Sequence, residues 1–108
     1  MSSWKELNPF HPVNVPVGPG VYVFLIDGLA VYVGQSMRLR ERIYCHKARH
    51  GYGKNVILPW GEVSSECSVT LKVKESRRMG DWAMWEIRLI HRLQPRFNKT
   101  HLRMLRAA

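Results

Sequence analysis

GVYVFLIDGLAVYVGQS, residues 20 to 36, decides how this chain folds. Two apolar runs, Val21 to Ile26 and Leu29 to Val33, flank Asp27-Gly28, and such a pair between apolar runs is the strongest short-range signal for a β-hairpin. Both runs are apolar on both sides of the strand alternation. Both faces of the sheet therefore need cover, and the sheet is expected to lie between helices. Val-Tyr-Val occurs twice, at 21–23 and 31–33. A phenol inside an apolar run must find a hydrogen-bond partner, so Tyr22 and Tyr32 stand out as candidates for something beyond packing.

Working outward, four prolines at 9, 12, 16 and 19 exclude a helix or a central strand before residue 20. Residues 1–17 are expected to form an extended lead-in over the surface. From about Met37 to His50 the pattern is helical, and Gly51 and Gly53 end it. The stretch 52–67, with Pro59-Trp60-Gly61, has no clean period and reads as a long loop or an irregular insertion, and such lengths tend to carry function. Ser68 to Val73 alternates and gives a third strand. Asp81 can cap a second helix running to Leu93 or Gln94, where Pro95 stops it. Residues 100–108 form a basic tail, and residues 1–108 together make one domain.

Charge narrows the partners. The chain carries 17 Lys and Arg against 8 Asp and Glu, a net charge of +9. The basic residues are spread through the fold, which favours a polyanion, nucleic acid first, as partner. Arg38, Arg40, Lys47 and Arg49, on and beside the first helix, are the expected contacts. No apolar run is long enough to span a bilayer and no secretory signal is visible, so no membrane partner and a cytoplasmic location are expected. Cys45 and Cys67 lack the spacing of a zinc site or a disulfide framework.

Certain polar residues fall on apolar stripes. Positions 82, 85, 86, 89, 90 and 93 share one face of the second helix, and Glu86 is the only charge among them. A carboxylate there needs a cation, either a structural arginine or a metal ion. On the first helix Leu39, Arg42, Ile43 and His46 share a face, which stacks Arg42 and His46 one turn apart. A histidine at such a position is either a satisfied core residue or a proton carrier. Taken together, a carboxylate for a divalent metal, an arginine for a phosphate, and a histidine and tyrosines for protons are the parts of phosphodiester hydrolysis.

Gly20-Val21-Tyr22, then Tyr32-Val33-Gly34, then Arg42, His46, Glu86 and Leu93-Gln94-Pro95-Arg96-Phe97-Asn98 resemble the GIY-YIG nuclease family over roughly residues 18–99. The resemblance implies an α+β fold, a small three-stranded antiparallel sheet flanked by helices. It implies a metal-dependent DNA endonuclease leaving 5′-phosphate and 3′-hydroxyl ends, with one Mg²⁺ or Mn²⁺ held by Glu86. Arg42 would polarise the scissile phosphate, His46 would relay a proton or orient water, and Asn98 would fix the backbone around the site. Gly20, Gly34 and Gln35 would support it, Gln35 standing where many members carry lysine.

Tyr22 is expected to be the base, with its phenolate favoured by the metal, Arg42 and the basic surface, and Tyr32 to hold water or phosphate. A two-residue turn at Asp27-Gly28 would place the two tyrosines on opposite faces. A three-residue loop with a bulge at Gly28, setting Tyr22 directly across from Tyr32, is therefore expected. The competing reading is a nucleic-acid-binding domain without cleavage. Target choice among duplex or branched DNA falls to the 52–67 segment, the lead-in, the tail or a targeting partner protein.

Overall fold

Asp27 and Gly28 turn the chain in two residues, both left-handed, with φ of 50° and 82°. That is the primed geometry that matches the twist of the flanking strands, and the Asp-Gly pair tolerates it. Asp27 is also tied to Ser68: its N–H donates to the Ser68 carbonyl, and its Oδ1 accepts from the Ser68 N–H, each at 2.8 Å. The computed structural model describes residues 4–51, 55–58, 61–64, 66–76, 81–95 and 98. The elements in chain order are β1 (Lys5–Leu7), β2 (Gly20–Ile26), β3 (Leu29–Ser36), α1 (Leu39–His46), β4 (Arg49–His50), β5 (Asn55–Leu58), β6 (Gly61–Ser64), β7 (Val69–Glu75) and α2 (Asp81–Leu93).

The fold is α+β. Its main sheet has four antiparallel strands in the order β1-β7-β2-β3, one more than expected. The fourth comes from the lead-in. Lys5 to Leu7 precede the prolines and pair with β7 at the sheet edge, where a short strand needs only one partner. The lead-in is also more than a surface strap, because Pro12 and Val15 are buried in the core and the Leu39 N–H donates to the Gly18 carbonyl.

The central strands are covered on both faces. Tyr22, Phe24 and Ile26 pack with Leu39 and Ile43 of α1, with Leu71 and Val73, and with Val56, Leu58 and Val63. On the other face Val23, Val33, Leu25 and Ala30 pack with Leu89 and Ile90 of α2. Full burial of Leu39 and Ile43 is worth about 1.5–3 kcal/mol each and fixes which side of α1 faces the sheet.

Two boundaries depart from the sequence pattern. The first helix ends at His46 rather than His50, because the Ala48 N–H donates to the Pro9 carbonyl and Arg49–His50 pair with β5. The 52–67 stretch, expected as a loop or an irregular insertion, contributes β5 and β6 to a second antiparallel sheet, β4-β5-β6. α2 spans Asp81–Leu93 as expected, whereas the Asp81 side chain and the 100–108 tail lie outside what is described.

Candidate active site

The hairpin register places the tyrosines. Tyr22 pairs with Gly34 and Phe24 with Tyr32, while Leu25 pairs with Ala30 and Ile26 with Leu29. Val31 is thus the extra residue of a β-bulge. Tyr22 is not directly across from Tyr32, and the turn holds two residues, not three. The bulge restores the same-face placement that a two-residue turn would have destroyed. The rings lie diagonally, their centroids 6.1 Å apart.

Gly34 is where Tyr22 needs room. A Cβ built there would overlap the Tyr22 ring and hydroxyl, so the phenol lies across a strand position that only glycine leaves open. Gly20 makes a similar allowance, since its Cβ would meet the Lys74 carbonyl and, at 2.7 Å, a Leu39 methyl. These glycines let the tyrosine and the first helix close on the sheet.

Around Tyr22 the site residues gather. The His46 ring stands edge-on to it at 6.3 Å between centroids. Arg42 and Glu86 are near enough to act on its ionisation, and Tyr32 shares a hydrogen bond with it. The structure thus brings together Tyr22, Tyr32, Arg42, His46 and Glu86, drawn from both sheet strands and both helices. Arg42 is exposed on α1, His46 and Glu86 are half-buried, and Gln35 lines the same open groove as Arg42.

Burial dominates the electrostatics of the two groups whose ionisation is shifted. Tyr22 is only 2% exposed, and burial, with Tyr32 next, raises its phenol above the ordinary tyrosine value; the Arg42 charge opposes this without reversing it. An ionised oxygen loses too much hydration in that position. Within the protein alone, burial thus works against a Tyr22 phenolate while Arg42 acts in the expected direction. The hydrogen bond with Tyr32 also favours a protonated Tyr22, and Tyr32 is the more exposed of the two. His46 is shifted down from the usual histidine value by burial first and by Arg42 second, which leaves a neutral imidazole able to accept a proton.

Asn98 sits against β3 from 65 residues away. Its Nδ2 donates to the Val33 carbonyl at 2.7 Å, and its Oδ1 accepts from the Val33 N–H at 2.8 Å. One side-chain amide thus satisfies both polar groups of the residue between Tyr32 and Gly34. Of the expected nucleic-acid contacts, Arg38 pairs with Glu41 at 3.7 Å, and Arg40 donates through Nε to the Val15 carbonyl, which ties the lead-in to α1. Lys47 and Arg49 are exposed beside Tyr44, an aromatic the sequence reading passed over.

Two curated relatives, the UvrABC system protein C of Brucella abortus strain 2308 and that of biovar 1 strain 9-941, are each 32% identical to the chain over 86 residues, 79% of its length. The likeness fits a GIY-YIG-like domain. The chain spans 13% of the length of each of these proteins. No family model matches the chain, and no solved structure matches it. No helix among the described residues is long and apolar enough to cross a membrane.

Proposed function

We propose that this chain is a metal-dependent DNA endonuclease domain that hydrolyses phosphodiester bonds to 5′-phosphate and 3′-hydroxyl ends. The supporting observation is the gathering of Tyr32, Arg42 and His46 around one buried phenol of a bulged hairpin, with Glu86 of the second helix near enough to act on its ionisation. Neither apolar packing nor a plain binding surface needs a histidine, an arginine and a carboxylate focused on two tyrosines.

Arg42, exposed at the groove, would hold the scissile phosphate through its planar fork. Tyr32 would take a proton from the attacking water, because the Tyr22 hydroxyl, kept protonated by burial, stabilises charge on the oxygen it bonds. Neutral His46 would accept that proton in turn. Water attacks phosphorus as the bond to the 3′-oxygen breaks, and that oxygen leaves with a proton from solvent.

Among the described residues no three His, Cys, Asp or Glu side chains cluster as a zinc-type cage would need. A lone carboxylate suits magnesium, which keeps most of its waters and takes one or two carboxylates together with phosphate oxygens. Glu86 would hold the ion, which when bound offsets charge building on the phosphate.

Plasmid nicking with Mg²⁺ or Mn²⁺, with and without chelator, tests this reading. The chain should nick only with metal, and Glu86→Gln should abolish nicking while DNA binding persists. Binding without cleavage in either metal would leave the nucleic-acid-binding reading in its place.

A further inference from the structure

The second sheet shares its core with the tyrosine face of the main sheet. Val56, Leu58 and Val63 pack in one cluster with Tyr22, Leu39 and Ile43, so the two sheets are joined through their interior. The junction is stiffened at the lead-in, where the His50 ring stacks flat on Phe10 with centroids 4.5 Å apart and an interplanar angle of 9°. The outer surface of β4–β6 is therefore fixed relative to the candidate active site. Three grooves adjoin there. The one holding Gln35 and Arg42 shares Cys45 with a second that holds Tyr44, Lys47 and Arg49, and the second shares Arg49 and Ile57 with a third beside His50.

We infer that the end of α1 and the second sheet form a track for the DNA backbone, with Lys47 and Arg49 each neutralising one phosphate beyond the phosphate held by Arg42. This rests on the endonuclease reading and adds to it where the substrate strand runs. Arg49 is held in place because its backbone pairs with Ile57, and among the described residues no carboxylate bridges to Lys47 or Arg49. Cations presented on a rigid frame and left without a protein counter-charge are suited to an anionic ligand of repeating spacing. Tyr44, half in solvent, lines the same groove and offers a ring for stacking an unpaired base. Arg38 and Arg40 are assigned elsewhere: the first pairs with Glu41 and the second holds Val15.

The test reads binding alone, by fluorescence anisotropy of the full chain carrying Glu86→Gln, on a labelled duplex and on the same strand alone, across a monovalent salt series. Adding Lys47→Gln and Arg49→Gln should flatten the slope of log K against log salt by about 1.8 on duplex and about 1.4 on the single strand, and each single change by about half. Arg88→Gln with Arg92→Gln, exposed on α2 and turned away from Glu86, removes the same charge and should flatten it by less than about 0.5. An unchanged slope in the track variant, or equal losses in both variants, overturns the track. A larger loss from Tyr44→Ala on the single strand than on the duplex supports unpaired bases as the occupant, and equal losses assign the track to backbone alone. Slopes that flatten as predicted, with a wild-type chain that never nicks DNA, would end the endonuclease reading and leave the track standing.

Discussion

At the scale of single residues, Gly34 and the two tyrosines form one packing unit. Gly34→Ala would ordinarily gain about 0.4–1 kcal/mol by restricting the unfolded chain. Here the new methyl enters the Tyr22 ring, and overpacking of that kind costs about 1–3 kcal/mol, so the variant should lose stability in urea denaturation. A gain would mean that Tyr22 can move aside. The raised Tyr22 phenol makes a second prediction. Its folded value lies above the unfolded value of about 10, so its contribution to stability is whole below that pH and is lost as pH rises past it. The urea midpoint of wild type should therefore fall more steeply than that of Tyr22→Phe between about pH 9 and 11. In cleavage, Tyr32→Phe should lose most activity, and Tyr22→Phe should lower the rate while keeping the shape of the pH profile. The reverse pattern would return the base to Tyr22.

At the scale of elements, the exposed edge of the hairpin strand β3 is closed by a side chain. Asn98→Ala would leave the buried N–H and carbonyl of Val33 without partners, at a cost of about 2–6 kcal/mol, since each buried unsatisfied group costs about 1–3. Asn98→Asp should cost at least as much, because it sets a buried carboxylate oxygen against the Val33 carbonyl in place of the donating Nδ2, which chemical denaturation can resolve. Both hairpin strands and the bounds of α2 were legible in the sequence, because each carries its own punctuation: Asp27-Gly28 between the runs, Pro95 after the helix. The strands of the second sheet were not. Two and four residues are too short to show a period, and they exist as strands only because they pair with each other over a shared core.

At the scale of the whole molecule, a net charge of +9 acts on stability and on binding in opposite senses as salt is added. Screening relieves self-repulsion of the folded chain, so the melting temperature should rise between about 0.05 and 0.3 M monovalent salt, while DNA affinity falls over the same range. Matched thermal melts and anisotropy titrations check both trends, and a melting temperature that fell with salt would show that specific ion pairs outweigh net repulsion. Local chemistry fixed much in advance: turn residues, strand and helix periods, a basic surface, and the set of polar residues that do not belong on apolar stripes. Tertiary structure decided how they meet. Whether Tyr22 and Tyr32 share a face depends on one extra residue at Val31, and no local signal announces it, because the bulge is set by seating Tyr22 over Gly34 between β7 and α1. The protonation of Tyr22 likewise follows from burial, which is a property of the assembled core and of no residue alone.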